Sequence, residues 1–275
     1  MIQPYICKTC GVQYSKSENP PENCIICEDE RQYVPPKGHT WTTLDALQSS
    51  DEYTNNIENK EECIYSITTK PSFAIGQTAY LVQGNNFNML WDCITYIDDK
   101  TIKTINELGG IDAIALSHPH YYSTQVEWAE TFDAPIYIHE DDKEWVTRPS
   151  KKIVYWSGDV LKLSDEFFLY RLGGHFKGGA VLNWTNGNNE KGILFSGDII
   201  HSVAAEGWVT FMYSYPNMIP LPAHTVQEMA RKVEQIKFDR IYVAFNNSIN
   251  ENAKEIVRKS AKRYVQAVEG ELFDT

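Results

Sequence analysis

Short apolar runs, separated by turns rich in glycine, proline and asparagine, fill most of the chain after Cys63. Apolar runs of this length between such turns are typical of β-strands. A late strand begins at Arg240, and the sequence Asn-Gly-Asn-Asn at residues 186–189 predicts a hairpin. The other predicted strands span residues 64–67, 79–82, 88–92, 114–116, 135–139, 153–156, 160–163, 167–172, 180–184 and 193–195.

Apolar positions recur at helical spacing in a few longer segments. Ile102, Ile105 and Leu108 share one face of a helix predicted over residues 99–108. The polar residues 49–62 are expected to form a loop. Strands that alternate with flanking helices indicate a layered α/β protein. Further helices are predicted over residues 125–132, 226–236 and 250–268.

One buried strand ends in two histidines. The apolar residues 114–116 lead through Ser117 to His118-Pro119-His120, and Pro119 takes the chain out of the sheet where the imidazoles appear. Ligands collect at the carboxyl ends of strands in layered α/β proteins, and imidazole is the commonest metal ligand. A surface loop with two solvated histidines is the alternative.

Two later strands also end in metal-binding side chains. The strand 167–172 is followed by two glycines and His175, and the strand 193–195 by a serine, a glycine and Asp198. Three imidazoles and one carboxylate suit zinc, which takes such ligands at about 2.0–2.2 Å and keeps a position open for water in catalytic sites. Iron and manganese are compatible with the same ligand types.

Four of the 6 cysteines form two CxxC pairs near the start of the chain, Cys7 with Cys10 and Cys24 with Cys27. Each pair places two thiolates on one tight turn, and two facing turns make a tetrahedral cage for a structural metal. Two disulfides are the alternative, although nothing else in the sequence indicates secretion.

The composition and net charge of the chain limit the kinds of partner that it is expected to bind. The chain has 275 residues, 42% of them hydrophobic, which is enough for one large domain with a small appendage. A net charge of −12 without a basic block argues against a broad nucleic-acid or anionic-membrane surface. No segment reads as a signal peptide or a membrane helix. We therefore expect a cytoplasmic protein that acts on a small molecule, and its association into a homo-oligomer is left open.

From Cys63 onward the chain resembles the metallo-β-lactamase-like hydrolase superfamily. The order of strand-His-x-His, strand-Gly-Gly-His and strand-Ser-Gly-Asp carries the resemblance. It implies an α/β fold, the αββα sandwich, with a metal site along one edge between the sheets. It places His118, His120 and His175 at the first metal position and Asp198 where dinuclear members have a bridging aspartate.

The second metal position departs from the family pattern. The first motif is usually HxHxDH, but here Tyr122 replaces the aspartate and Ser123 replaces the third histidine. No histidine follows the late strand, where the family's last ligand usually lies. The resemblance therefore implies at most one tightly held catalytic metal, most simply zinc. Asp198 is expected to hold the attacking water, and Tyr122 either assists as hydrogen-bond donor or base, or only packs beside the site.

The two CxxC pairs resemble a rubredoxin-like or zinc-ribbon module, with Tyr5 and Tyr14 as aromatic cover. We predict this module and its linker over residues 1–48 and the metallo-β-lactamase-like domain over residues 63–275. The resemblance implies a structural zinc in the cysteine cage, whereas iron there would indicate electron transfer.

The remaining histidines and an aromatic segment offer weaker candidates. His201, three residues after Asp198, is a candidate proton donor or substitute ligand. His139 ends a predicted strand, whereas His39 and His224 lie in contexts typical of surface, packing or helix-entry residues. The aromatic residues 208–216 would line a substrate pocket, pack in the core or form a contact between chains.

The function that these patterns favour is a zinc-dependent hydrolase of a small organic substrate, with a mononuclear site and a metal-activated water. Two alternatives stay open. The site could be degenerate, leaving a ligand-binding or regulatory protein, or iron in the cysteine cage could make a redox protein. Relatives of this fold cleave esters, thioesters, lactones, amides and phosphodiesters, so the substrate is not specified.

Overall fold

The apolar runs form two large mixed β-sheets in the computed structural model, which describes residues 2–274. These residues divide into two compact units, one comprising residues 2–138 and 142–156 and the other residues 139–141 and 157–274. The separate module over residues 1–48 and the domain over residues 63–275 stay predictions. Among the described residues, none of the helices has the length and apolar character needed to cross a membrane.

The first unit contains a three-stranded sheet in the order β2-β1-β3 and a seven-stranded sheet in the order β10-β9-β8-β7-β6-β5-β4. Its strands are β1 Gln3–Cys7, β2 Gln13–Ser17, β3 Trp41–Thr42, β4 Thr54–Glu61, β5 Ile64–Lys70, β6 Ala79–Gly84, β7 Phe87–Trp91, β8 Ala113–Ala115, β9 Ile136–His139 and β10 Ile153–Trp156. Its helices are α1 Ile25–Glu28, α2 Leu44–Ser49, α3 Asp99–Glu107 and α4 Gln125–Thr131.

The parallel strands β7, β8 and β9 are joined by the helices α3 and α4, which pack their apolar faces on the sheet. Helix α3 begins where Asp98 Oδ1 accepts the N–H of Thr101 at 2.8 Å, so one unpaired amide of the first turn is satisfied. Ile105 of α3 and Trp128 of α4 are fully buried in this cluster. Burying a side chain of this size contributes about 1.5–3 kcal/mol.

The cysteine-rich segment belongs to the same apolar cluster. Cys7, Cys10, Cys24 and Cys27 are all buried together with residues of the seven-stranded sheet. Tyr14, which the sequence predicts as aromatic cover, has its ring edge-on to Trp41 at 5.2 Å. Its hydroxyl also accepts the N–H of Ile25 at 2.8 Å, which holds the start of α1 beside the cage.

The second unit contains a six-stranded sheet in the order β11-β12-β13-β14-β19-β20 and two strand pairs, β15 with β16 and β17 with β18. Helices α6 and α7 supply buried side chains to its core. The strands are β11 Val160–Lys162, β12 Phe167–Arg171, β13 Ala180–Trp184, β14 Ile193–Phe195, β15 His201–Ser202, β16 Val209–Thr210, β17 Met212–Ser214, β18 Ile219–Pro220, β19 Arg240–Val243 and β20 Asn247–Ile249. The helices are α5 Gly187–Glu190, α6 Ala223–Glu234 and α7 Ala253–Val268.

Most predicted elements are confirmed within two or three residues, including the hairpin between β13 and β14. The prediction of a loop over residues 49–62 is wrong, because β4 occupies Thr54–Glu61. This strand lies at the edge of the seven-stranded sheet and pairs only with β5. An edge strand with half of its residues exposed needs no apolar alternation, so its sequence resembles a loop.

Candidate metal centres

The loop after β8 presents His118 and His120 from a short 3-10 helix, Pro119–Tyr121. His118 is the extended residue before this helix, and Pro119 suits the first helical position because its missing N–H is not needed there. The two imidazole rings lie 5.1 Å apart at 73° to one another. The turn therefore carries both imidazoles on one rigid support.

Ser117 and Asp92 orient the first of these imidazoles. The Ser117 hydroxyl lies 2.9 Å from Nδ1 of His118, which leaves Nε2 as the ligand atom. The N–H of Ser117 donates to Asp92 Oδ1 at 2.7 Å. A partner on the second ring nitrogen fixes the orientation of a metal-binding histidine, so this pair acts as the support for His118.

His175 is held by a glycine turn and a backbone carbonyl. Gly173 and Gly174 both have positive φ, and a Cβ on Gly174 would lie 2.5 Å from Met229 Sδ. Nδ1 of His175 donates to the carbonyl of Met212 at 3.1 Å. Gly173 and Gly174 therefore allow the turn before His175 to pack closely against helix α6. Because Nδ1 contacts the carbonyl, Nε2 is the candidate ligand atom of His175.

Asp198 follows β14 through a sharp turn at Gly197, which has a φ of 56°. The carbonyl of Gly197 accepts the N–H of Ala244 at 2.7 Å, and the carbonyl of Asp198 accepts the hydroxyl of Tyr215 at 2.7 Å. The backbone around the carboxylate is thus fixed by hydrogen bonds.

The four predicted ligands are brought together. One ligand atom from each of His118, His120, His175 and Asp198 lies within 4.8 Å of the others, and all four residues are at most 5% exposed. Ligand atoms at about 2.0–2.2 Å from one ion are separated by roughly 3.3–4.4 Å. The donor set and its spacing therefore fit a single zinc-type centre.

Tyr122 and Ser123, which replace two ligands of the family motif, are engaged elsewhere. The Tyr122 hydroxyl lies 3.4 Å from the carbonyl of Asp142, and burial raises its pKa well above 10, so it is protonated at neutral pH. Ser123 Oγ accepts from Gln77 Nε2 at 2.7 Å and lies 3.3 Å from the carbonyl of Cys93. The catalytic role of Tyr122 stays a prediction, with hydrogen-bond donation as the form that its pKa permits.

His201 packs among aromatic rings next to the Asp198 turn. Its ring lies 5.1 Å from Tyr215 and 5.7 Å from Phe245, and Tyr215 in turn lies 5.7 Å from His175. Burial lowers the pKa of His201, so its imidazole is neutral near pH 7. Phe245 comes just after the late strand β19, where the family's last histidine was expected.

The other histidines are occupied by local contacts. His139 donates from Nε2 to the carbonyl of Gly158 at 3.0 Å and accepts the N–H of Asp141 at Nδ1, so both ring nitrogens are used. His39 pairs with Glu28 at 3.2 Å, and His224 is exposed in the first turn of α6. These contacts agree with their assignment as structural or surface residues.

The cysteine cage has the size expected for a bound metal. The Sγ atoms of Cys7 and Cys27 are 3.6 Å apart, as are those of Cys10 and Cys24. All four Sγ atoms lie within 4.8 Å of one another. Tetrahedral ligands at about 2.3 Å from zinc are separated by roughly 3.8 Å, whereas a disulfide has an S–S length of about 2.05 Å. The neighbouring thiols, Cys10 foremost, lower the pKa of Cys7.

Sequence reasoning missed the residues that hold the ligands. Ser117 lies directly before His118, and this adjacency was a usable signal for an orienting hydroxyl. Asp92, Tyr215 and the Met212 carbonyl are distant in sequence, and no local pattern marks them. The aromatic segment containing Tyr215 was expected to line a pocket or pack in the core, and the core alternative is confirmed for the fully buried Phe211.

The fold is that of the metallo-β-lactamases. The metallo-β-lactamase FIM-1 from Pseudomonas aeruginosa, in its mono-zinc form, superposes with a TM-score of 0.56 at 15% identity, over 77% of this chain and 96% of that one. The metallo-β-lactamase of Hirschia baltica gives a TM-score of 0.55 at 14% identity, over 77% and 97% of the two chains. This likeness confirms the predicted αββα fold class.

The chain belongs to the same family as the uncharacterized protein YmaE of Bacillus subtilis (strain 168). The two are 61% identical over 271 residues, which cover 98% of this chain and 99% of that protein. No protein-family model matches the sequence.

Proposed function

We propose that the protein is a zinc-dependent hydrolase of a small organic substrate, with one catalytic zinc in the His118, His120, His175 and Asp198 site. The observation that supports this most is the convergence of three imidazoles and one carboxylate within 4.8 Å. Three histidine ligands would leave the fourth position of a catalytic zinc open for water, and Asp198 would then act beside that position.

The mononuclear form of the proposal is supported by the residues at the second metal position. Ser123 is 2% exposed and bonded to Gln77, and Tyr122 is packed in the core of the first unit. Phe245 follows the late strand β19, after which the family's last histidine usually comes, and its ring packs against His201. A second ion would therefore find few ligands.

A bound zinc and the side chains around it would contribute differently to the reaction. Zinc, when bound, lowers the pKa of its water to about 7 and polarises a carbonyl. Ser117 and the Met212 carbonyl contact Nδ1 of His118 and His175, so Nε2 of each would be the atom that binds the ion. Asp198 is the carboxylate best placed to accept a proton, because the hydroxyl of Tyr122 is held protonated by its raised pKa.

A polar groove in the second unit is lined by residues that follow the Asp198 segment in sequence, and we propose it as a binding place for part of the substrate. It begins at Ser202, directly after His201, and Trp208, Asn247 and Asn250 contribute to its walls. Amide groups and an indole suit a ligand that combines polar atoms with a flat or apolar part. This supports a small organic molecule as substrate.

The cysteine cage is proposed to hold a structural zinc. Its position inside the apolar cluster of the first unit supports a role in stability, and the thiol spacing of 3.6 Å suits a tetrahedral ion. Iron in the same cage would instead give the redox alternative, and visible absorption of the purified protein would reveal it.

The experiment that tests the proposed function is a hydrolytic screen of the zinc-loaded protein against chromogenic esters, phosphodiesters and β-lactams. Asp198→Asn should lower the rate at least 100-fold while leaving the cysteine cage filled. The exposed His224→Gln is the matched control and should keep the wild-type rate. Zinc-loaded protein that cleaves none of these classes, yet binds a small ligand, would favour the binding or regulatory alternative.

A further inference from the structure

The turn that follows Cys10 is packed directly against the strand-end segment beside the histidine loop. Thr95 Oγ1 donates to the carbonyl of Gly11 at 3.1 Å. Gly11 has a φ of 82°, and a Cβ added to it would lie 2.3 Å from Thr95 Oγ1. Only glycine permits both this backbone conformation and this contact.

The next residues of the same turn bond to the segment that follows His120. The N–H of Gln13 donates to the carbonyl of Ser123 at 3.0 Å, and Gln13 is 2% exposed. The Gln13 side chain donates to Glu127 Oε1 of α4 at 3.1 Å. Arg148 bonds to both of these side chains, so the contact is a half-buried network.

Thr95 links the cysteine turn to the histidine loop. Its hydroxyl reaches Gly11, while its carbonyl accepts the hydroxyl of Thr124 at 2.8 Å. Ser123 and Thr124 lie three and four residues after His120, and the N–H of Gln125 donates to the carbonyl of Tyr122 at 2.9 Å. The turn that carries the two imidazoles is therefore anchored at its C-terminal end by residues adjacent to Cys10.

We propose that the cysteine cage positions the catalytic histidines, so that metal binding by the four cysteines fixes Gly11–Gln13 and thereby orders Ser123, Thr124 and the loop of His118 and His120. The consequence for the histidine site rests on the proposed function. The ordering of the loop by the cysteine cage does not depend on that function. Gly11, Gln13 and Thr95 are positioning residues in this scheme.

The cage needs a metal to act in this way. The segment around the cysteines has short strands and a four-residue helix, so we expect its order to depend on a metal that links residues 7–10 to residues 24–27. In small cysteine modules, metal binding supplies the folding free energy. Removal of the metal from the cage should therefore disorder Gly11 and Gln13 first. The hydrogen bond from Gln13 to Ser123 should weaken as a result.

The test compares Gly11→Ala with Gly38→Ala in the full chain. Gly38 has nearly the same φ, 81°, but a Cβ there meets nothing within 4 Å, so it shares the backbone strain without the Thr95 contact. The first readout is amide hydrogen exchange of residues 117–125, with residues 167–171 of β12 as internal reference. The second is zinc affinity at the histidine site, measured by competition with a chelator. A Cys24→Ser, Cys27→Ser variant, with its cage emptied, is measured alongside.

We expect Gly11→Ala to keep zinc in the cage, to accelerate exchange over residues 117–125, and to weaken the histidine site about tenfold. Gly38→Ala should leave both readouts at wild-type values, and the cysteine variant should show the larger change. Unchanged exchange of residues 117–125 in both Gly11→Ala and the cysteine variant would overturn the inference. Absence of zinc at the histidine site of the wild type would instead contradict the proposed function, and the exchange data would still decide the ordering.

Discussion

The hydroxyl of Tyr215 donates to the backbone carbonyl of Asp198 at 2.7 Å, and its ring lies against both His175 and His201. One side chain thus supports the carboxylate ligand and an imidazole ligand of the second unit. Burial raises the pKa of Tyr215 well above 10, so the hydroxyl remains a donor throughout the neutral range.

Removing this hydroxyl should weaken the metal site without disturbing the ring packing. Tyr215→Phe is expected to lower zinc affinity about tenfold and to cost about 1 kcal/mol of unfolding free energy. Chelator competition and urea unfolding measure the two quantities. Tyr264→Phe is the control, because the Tyr264 hydroxyl also donates to a backbone carbonyl, that of Leu221 at 3.0 Å, away from the ligands. Equal zinc affinity in the two variants would show that the Tyr215 hydroxyl does not support the metal site.

Replacement of Tyr122 decides whether its hydroxyl takes part in catalysis. The hydroxyl is buried, protonated and 3.4 Å from the Asp142 carbonyl, a long hydrogen bond. We expect Tyr122→Phe to lose less than about 1 kcal/mol of stability and to hydrolyse the screened substrate within about twofold of the wild-type rate. A rate loss of 100-fold with full zinc occupancy would establish Tyr122 as a donor to the reacting group.

The family motif cannot be restored by exchanging one side chain. Tyr122→Asp would place a carboxylate in the apolar cluster that contains Leu116 and Trp128. Burial of an unpaired charge there should cost about 3 kcal/mol or more, measured by urea unfolding beside Tyr122→Phe. A stable Tyr122→Asp variant that binds an additional zinc would contradict this expectation. It would show that one carboxylate is enough to restore the second metal position.

The buried neutral His139 predicts a loss of stability in mild acid. Burial lowers its pKa from the ordinary value of 6.5, so the unfolded chain takes up a proton at a higher pH than the folded protein does. Stability from this group is complete above about pH 6.5 and falls as the pH drops toward the lower folded pKa. The unfolding free energy of His139→Gln should fall less than that of the wild type between pH 7.5 and 5.5. Parallel curves for the two proteins would contradict the assignment.

The four candidate ligands could be picked out from the sequence, because each comes shortly after an apolar strand. His118 follows β8 of the seven-stranded sheet, whereas His175 and Asp198 follow β12 and β14 of the six-stranded sheet. The carboxyl ends of strands are where ligands collect in layered α/β proteins. The paired CxxC motifs were equally informative, since their spacing is set by the tight turn that a metal requires.

The supports of the ligands could not be predicted, because they depend on tertiary contacts. Thr95 meets Gly11 across 84 positions of sequence, and nothing in either local pattern indicates the pairing. The edge strand β4 was missed for a different reason: strand β5 supplies its hydrogen bonds, so its polar residues need no apolar alternation.

The central claim is that two separate metal ions bind each chain, one in the cysteine cage and one at the histidine site. Elemental analysis of the purified, dialysed protein tests it most directly. We predict two zinc ions per wild-type chain and one per chain of the His118→Ala, His120→Ala variant, whose cage is intact. The same single zinc in both proteins would contradict the account.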